Sequence, residues 1–285
     1  MKIFVPASAR RPLQGGGWVF TRNIMKALAG KVEFVDVLKD ADIYFIPGPT
    51  LAERAEVTEA KRLGKKIVFR VDNVPRNSRN RNTGTSRLYD FAQIADSVIY
   101  QSEWAKNWIM PFVKKDGHVI LNGCDTDIFK PEGEKNIKEG KPQYLYSRYN
   151  RDEIKRWEKA WYLFQMIYYD NPKAHLWIVG RFTPEYSEYG FDFFGGAEER
   201  FRYLGLIEEQ EEMARIYRAA DFFLYTYEMD ACSNTLVEAV MCGLKIVFDT
   251  DDDGSAFEVV NADKKDLTLE GMGKKYLEVF KEMMK

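Results

Sequence analysis

Two carboxylates eight positions apart, Asp230 and Glu238, are the residues of this sequence best placed to do chemistry. A polar segment that includes Asn234 and Thr235 lies between them. Apolar runs on either side predict a strand, a loop, a helix that begins near Thr235, and a second strand. The free N–H groups and the positive dipole end of a helix N-terminus bind phosphate, whereas nearby carboxylates suit the hydroxyl groups of a sugar and a ribose. The segment therefore predicts a nucleotide-sugar site.

The same residues also have a purely structural interpretation. Thr235 to Glu238 fits a helix capping box, in which the glutamate accepts a hydrogen bond from the N-cap N–H. Asp230 could equally be a solvated acid of a loop. Both alternatives stay open on these residues alone, and the choice depends on the other motifs of the chain.

A run of three glycines follows the first strand-like segment. Gly15, Gly16 and Gly17 precede a helix that we expect to begin at Trp18, so their backbone could come close to a ligand. Their spacing does not match the fingerprint of dinucleotide-binding proteins, which argues against an NAD site. A flexible turn without function explains them equally well.

Two cations follow a strand-like segment in the second half of the chain. Arg148 lies just past that segment, and Lys155 opens the helix predicted after it. Cations at the carboxyl end of a strand can neutralise a diphosphate as it leaves. They could instead belong to a charged surface, and Arg151 or Arg156 could take the place of Lys155.

Two more segments have ambiguous roles. Residues 76–87 contain four arginines and no acid, which predicts a loop for an anionic ligand. An RNA-binding arm is the alternative, but no aromatic residue interleaves the arginines, as single-strand binders usually require. Asn122 and Gly123, after another strand-like segment, predict a tight turn with Asp125 as a cap, which requires no function.

Composition restricts the class of protein. The 285 residues are 45% apolar and 14% aromatic, enough for two hydrophobic cores, and the net charge of -2 argues against a dedicated nucleic-acid binder. Three cysteines without metal-ligand spacing and only two histidines predict a reduced, cytoplasmic protein without a histidine-based metal site. The N-terminus lacks a signal-peptide pattern, and no apolar run reaches the ~20 residues that span a bilayer.

Strand-like runs alternate with helical segments along the chain, which predicts α/β domains with parallel sheets and crossover helices. A polar segment at 130–142, rich in proline and glycine, predicts a linker, so we expect one domain at 1–137 and another at 138–285. Ligands of such sheets bind at the carboxyl ends of the strands, which predicts a site in a cleft between the domains. The predicted strands are 3–5, 32–37, 43–46, 67–71, 97–100, 119–121, 144–147, 176–179, 201–204, 222–225 and 246–248, and the predicted helices are 18–29, 51–63, 88–95, 103–113, 155–169, 208–219 and 235–242.

Taken together, the motifs resemble those of the short retaining glycosyltransferases of family 4, over nearly the whole length. The acid pair Asp230-x7-Glu238 resembles the Glu-x7-Glu motif of that family, with aspartate in the first place. Arg148 and Lys155 fall where the family keeps an arginine and a lysine. The remaining similar segments are the glycines at 15–17, residues 102–104, Ile120 to Asp125 with Phe129-Lys-Pro131, Tyr203-Leu-Gly205, and Gly254 with Glu258.

The resemblance implies a GT-B fold of two Rossmann-like doubly wound domains facing a central cleft, with the acceptor on the first domain. The second domain would bind a nucleotide-diphosphate sugar of the UDP or GDP type, and no cofactor or metal ion would take part. Arg148 and Lys155 would neutralise the leaving diphosphate, and Asp230 would hold sugar hydroxyls. The implied donor contacts are Gly16, Gly17, Gly205, Asn234, Thr235 and Glu238.

The chain departs from the family at the end of the fourth strand of the first domain, where the family often has a histidine. Here the sequence reads Arg70-Val-Asp72-Asn73, so Asp72, Asn73 and Arg76 are the candidates to line the acceptor side. Two rival functions remain: a catalytically silent nucleotide-sugar-binding protein, and a nucleic-acid-binding module that uses residues 76–87. The acceptor is not specified by the sequence.

Overall fold

The computed structural model of the chain describes residues 1–12, 15–72, 74, 82–149, 155–181, 200–248 and 254–285, without the side chains of residues 82–84, 148 and 149. The chain divides into two compact units. The first consists of Met1–Asp125, Asp230–Asn234 and Asn261–Lys285, and the second of Thr126–Met229 and Thr235–Val260. Each unit contains one sheet of parallel strands.

The first unit contains a six-stranded parallel sheet in the order β2-β1-β3-β4-β5-β6. Its central strands are buried along almost their whole length, as expected for a parallel sheet covered on both faces. The strands are β1 Lys2–Phe4, β2 Glu33–Val35, β3 Ile43–Ile46, β4 Lys66–Val71, β5 Ser97–Tyr100 and β6 His118–Val119, and the helices among them are α1 Gly16–Leu28, α2 Arg54–Arg62, α3 Asn82–Ile94 and α4 Glu103–Val113.

The second unit contains a five-stranded parallel sheet in the order β11-β10-β7-β8-β9. The order places β7 in the centre of the sheet, so the carboxyl end of β7 lies at the middle of that sheet edge. The strands are β7 Gln143–Tyr149, β8 His175–Gly180, β9 Phe201–Gly205, β10 Phe222–Leu224 and β11 Lys245–Val247, and the helices are α5 Trp157–Asp170, α6 Gln210–Ala219, α7 Asn234–Met241 and α8 Ala256–Asn261.

A last helix, α9 Leu269–Met283, packs into the core of the first unit. The rings of Phe45 and Phe280 lie 5.4 Å apart, and those of Phe20 and Tyr276 lie 5.6 Å apart. A Cβ atom on Gly273 would lie only 2.8 Å from Ala27 Cβ, so the absence of a side chain lets α9 approach α1 closely.

The structure differs from the sequence-based expectations at several points. α1 begins at Gly16 rather than Trp18, so two of the three glycines form its first helical turn. The residues around Asn122 and Gly123 carry no turn, because Asn122 bonds to distant groups instead of to its own backbone. The predicted domain boundary at 137 differs from the contact-based division, which places 126–137 in the second unit and 261–285 in the first. Within the described ranges, no helix combines the length and the apolar character needed to cross a membrane.

Candidate functional site

The glycine segment and Asp72 lie together in the first unit. Asp72 directly follows β4, and its carboxylate lies against the backbone of Gly48 and of Gly17 in α1. A Cβ atom on Gly48 would be 2.4 Å from Asp72 Oδ2, and one on Gly17 would be 3.3 Å from the same oxygen. The two glycines therefore make the space that the carboxylate occupies, while 16% of the Asp72 side chain remains exposed.

A buried guanidinium group lies two residues before Asp72. Arg70 is only 1% exposed, and its guanidinium carbon lies 3.6 Å from the centre of the Phe20 ring. One nitrogen donates to the carbonyl of Pro47 at 2.9 Å and lies 4.0 Å from Asp72 Oδ2. Burying a cation is costly unless it is paired and hydrogen-bonded, and Arg70 meets this requirement at its two terminal nitrogens.

Two side-chain amides complete the surroundings of Arg70. The second terminal nitrogen of Arg70 donates to Gln101 Oε1 at 2.5 Å and to Asn122 Oδ1 at 3.0 Å. Gln101 and Asn122 are 2% and 3% exposed, and Gln101 Nε2 donates to the carbonyl of Val71 at 3.1 Å. The carboxyl end of this sheet thus carries a buried, hydrogen-bonded polar network.

The same network continues into the loop that precedes α7. Asn122 Nδ2 donates to the carbonyl of Cys232 at 2.8 Å and to Asn234 Oδ1 at 2.9 Å. Ser102 Oγ donates to the carbonyl of Ala231 at 2.6 Å. Asn234 Nδ2 lies 3.4 Å from the carbonyl of Gly16, so the structure brings the predicted donor residues Asn234 and Gly16 together. Asp230 begins this loop and is half-buried.

In the second unit, Lys155 is a buried cation just before α5. It is 4% exposed, and its Nζ lies 4.3 Å from the centre of the Tyr227 ring. Its carbonyl accepts hydrogen bonds from Tyr146 Oη at 2.9 Å and from Thr226 Oγ1 at 3.0 Å. Arg156, the alternative cation, follows in a left-handed conformation (φ 51°) as the N-cap of α5. Two hydroxyl groups thus hold the backbone carbonyl of Lys155 in place.

Glu238 lies in α7 and is 7% exposed. One carboxylate oxygen lies 3.4 Å from Tyr217 Oη of α6. Burial, followed by the charge of Glu238, raises the pKa of Tyr217 well above its usual value. Thr235 is the second residue of α7, and Gly205 ends β9 with φ at 82°.

Several predicted residues lie outside the described part of the chain. Asn73, Arg76 and Arg151 are among them, together with the rest of residues 76–81 of the arginine-rich segment 76–87. Arg148 is the sixth residue of β7, but its side chain is not described. Among the described residues, no group of three or more histidine, cysteine, aspartate or glutamate side chains could hold a metal ion.

The cysteines offer little reactivity in this structure. All three are unbridged and buried. Burial raises the pKa of Cys242 to about 12, which keeps that thiol protonated at neutral pH and makes it a poor nucleophile.

Sequence reasoning missed Arg70, Gln101 and Gly48, and it gave Asn122 no functional role. For Arg70 a signal was present, since an arginine inside the apolar run of 67–71 has to be paired when that run is a buried strand. Asn122 carried no comparable signal, because its partners Cys232 and Asn234 are more than a hundred residues away.

Comparisons with known proteins agree with this architecture. A family model described as "Glycosyl transferases group 1" matches residues 146–277, somewhat less than half of the chain. A search of curated proteins finds no match to the sequence.

Solved structures of glycosyltransferases are similar over nearly the whole chain. HepE from Anabaena, crystallised with UDP, is 13% identical with a TM-score of 0.70 and 99% of each chain covered. A glycosyltransferase from Rickettsia africae is 14% identical with a TM-score of 0.69, covering 100% of this chain and 98% of that one. Sucrose-phosphate synthase from Thermosynechococcus elongatus is 15% identical with a TM-score of 0.65, covering 99% and 96%. The chain therefore has the two Rossmann-like α/β domains of the GT-B glycosyltransferases, and its residues 146–277 match the family Glycosyl transferases group 1.

Proposed function

We propose that this protein transfers a sugar from a nucleotide-diphosphate sugar to an acceptor hydroxyl, with retention of the anomeric configuration and without a metal ion. The match of residues 146–277 to Glycosyl transferases group 1 carries this proposal, because the segment spans the predicted donor contacts from Arg148 to Glu238. A UDP-type donor is favoured over a GDP-type donor, since HepE was crystallised with UDP and with UDP-glucose.

Charge stabilisation of the leaving diphosphate is the main task of the second unit in this proposal. Lys155 is suited to it because its backbone is fixed by Tyr146 and Thr226 and its ammonium group lies over the Tyr227 ring. A preorganised cation stabilises developing charge without having to reorganise during the reaction. Arg148, at the end of the central strand β7, would supply a second positive charge.

The start of α7 would bind the rest of the donor. Backbone N–H groups at Asn234 and Thr235 would hold phosphate oxygens, as helix N-termini do. Glu238 would accept hydrogen bonds from the ribose, with Tyr217 holding the carboxylate from the other helix. Asp230 would accept hydrogen bonds from the transferred sugar.

Retention follows if the acceptor attacks from the side that the diphosphate leaves. The bond between the anomeric carbon and the phosphate oxygen breaks, and a bond to the acceptor oxygen forms on the same face. The acceptor proton passes to the departing phosphate oxygen, so no histidine is required. Asp72, placed by Gly17 and Gly48, would bind the acceptor by accepting a hydrogen bond from one of its hydroxyl groups.

The proposal is tested by donor binding followed by turnover. UDP, GDP and ADP are each titrated in a thermal-shift assay, because a bound ligand raises the melting temperature, and UDP-sugars are then assayed for transfer and hydrolysis. Lys155→Met should lower the turnover rate far more than the control Lys159→Ala, which removes a lysine one helical turn further along the chain. Binding without any turnover would indicate a nucleotide-sugar-binding protein, and the absence of binding to all three diphosphates would refute the proposal.

The metal independence is tested separately. If side-chain cations neutralise the diphosphate, turnover should continue in EDTA. A loss of turnover in EDTA that manganese restores would show that a metal ion does this work instead.

A further inference from the structure

We propose that Asn122 and Ser102, with Arg70 behind them, are positioning residues that fix the loop 230–234 at the start of α7. This inference rests on the proposed function only where it concerns donor binding, because the loop carries Asp230 and leads into the helix turn with Asn234 and Thr235. None of the three positioning residues is expected to contact the donor or the acceptor.

The loop is held mainly through its carbonyl groups. Ser102 Oγ binds the carbonyl of Ala231 at 2.6 Å, and Asn122 Nδ2 binds the carbonyl of Cys232 at 2.8 Å. The same amide nitrogen donates to Asn234 Oδ1 at 2.9 Å. Ser102 and Asn122 are 0% and 3% exposed, so these bonds form away from water, where an unpaired carbonyl would be costly.

Arg70 determines which way the Asn122 amide faces. A guanidinium group only donates hydrogen bonds, so the atom of Asn122 that lies 3.0 Å from it has to be the oxygen. The NH₂ group of Asn122 then faces Cys232 and Asn234 on the loop, and it also lies 3.1 Å from Gln101 Oε1. Gln101 is oriented in the same way, since its oxygen accepts from Arg70 and its nitrogen donates to Val71.

A purely structural role is the competing interpretation, in which the network only satisfies buried polar groups. The two interpretations differ in where they place the effect of a mutation. Loss of a merely structural bond lowers the stability of the whole unit, whereas loss of a positioning bond loosens the loop and weakens donor binding at nearly unchanged stability.

Asn122→Asp separates these cases. The carboxylate keeps the shape of the side chain and accepts from Arg70 with added charge, but it has no N–H group to donate to Cys232 and Asn234. Gln101→Glu is the matched control, because it gives Arg70 the same new carboxylate partner, keeps an oxygen that accepts from Asn122 Nδ2, and leaves the bonds from Asn122 to Cys232 and Asn234 in place.

Two measurements report on the loop: amide hydrogen exchange of residues 230–241 and the dissociation constant of UDP. For Asn122→Asp we expect exchange in this segment to accelerate at least tenfold and the dissociation constant to rise about tenfold. For Gln101→Glu we expect neither change. Ser102→Ala removes the bond to Ala231 and also the N-cap bond from Ala105 in α4, so it is read from exchange in residues 230–234 compared with exchange in α4. Faster exchange in 230–234 is expected, and this variant serves as the second one if Asn122→Asp does not fold.

The outcomes distinguish this inference from the proposed function. If the wild-type protein binds UDP and a folded Asn122→Asp variant shows unchanged exchange and unchanged affinity, the inference is overturned and the function stands. If exchange accelerates as expected but the wild-type protein binds no nucleotide diphosphate, the positioning of the loop stands and the proposed function fails.

Discussion

Replacing Gly48 with alanine tests the role of Asp72 without touching the aspartate itself. Gly48 has φ at -179°, an extended conformation that alanine adopts without strain, so the effect of the substitution is purely steric. Its new Cβ would lie 2.4 Å from Asp72 Oδ2 and 2.7 Å from Asp72 Cγ, whereas ordinary contacts begin at 3.4 Å. The carboxylate therefore has to move by about 1 Å, because the Gly48 backbone is continuous with the end of β3.

A displacement of about 1 Å in a group that orients a substrate can lower the rate about 100-fold, or about 3 kcal/mol of transition-state stabilisation. We expect Gly48→Ala to lower kcat/KM for the acceptor by about this factor. Donor affinity should change little, because Asp72 is proposed to bind the acceptor.

A double-mutant cycle isolates the clash. In an Asp72→Ala background, Gly48→Ala has no carboxylate to displace and should have almost no further effect, so the two substitutions should be strongly non-additive. In an Asp72→Asn background the clash persists, since the amide has the same shape. Initial rates at varied acceptor concentration and a thermal melt of each variant provide the readout. A folded Gly48→Ala variant with wild-type kcat/KM would refute the idea that the position of Asp72 matters.

Three further predictions concern the second unit. Arg148→Ala should lower kcat about 100-fold, or ~3 kcal/mol, at an unchanged melting temperature, and near-normal turnover would shift attention to Arg156. Glu238→Gln should weaken donor binding by ~1.5–3 kcal/mol in a calorimetric titration. The stability of the protein should hardly change, because Tyr217 can still donate to the amide oxygen. Unchanged donor affinity would leave Glu238 with a structural role. Burial lowers the pKa of His175 in the folded protein below the value of about 6.5 that it has in the unfolded chain. As the pH falls below that value, the unfolded chain binds more protons than the folded protein, so the free energy of unfolding decreases. Urea unfolding at pH 7.5 and at pH 5.5 should therefore show that the free energy of unfolding decreases less for His175→Gln than for the wild type. An equal decrease in both proteins would contradict this reasoning.

The alternation of strands and helices was predictable from local sequence patterns. Helix α4 was expected at residues 103–113, and the structure places it at Glu103–Val113, with Ser102 as the N-cap accepting from Ala105 N at 3.0 Å. The signal was local, since apolar residues at helical spacing indicate a helix. The strands Ile43–Ile46 and Ser97–Tyr100 were expected with the same bounds, because continuous apolar runs mark buried parallel strands.

The membership of α9 in the first unit was not predictable in the same way. The sequence analysis predicted no helix after residue 242, so α9 itself was missed. Met272, Tyr276 and Phe280 have the spacing of one helix face, but that spacing does not indicate the partner of the helix. The partners, Phe20 and Phe45, lie more than two hundred residues earlier in the chain. A linear division of the chain at residue 137 therefore could not assign this helix.

The surroundings of Arg70 show what was missing at the candidate site. The sequence indicates that an arginine in a buried strand needs acceptors, and a parallel sheet offers them at one edge, where all strands end. In the structure, Pro47 follows β3, Gln101 follows β5 and Asn122 lies beyond β6.

These three residues meet at Arg70 because β4 lies between β3 and β5, with β6 as the next strand. Strand lengths and apolar patterns do not encode that order, which arises from how the crossover helices pack. With the order known, Gln101 and Asn122, the first polar residues after β5 and β6, would have been the candidates for Arg70, whereas Pro47 contributes only a backbone carbonyl. The network that reaches the loop 230–234 thus follows from the sheet order together with one buried charge.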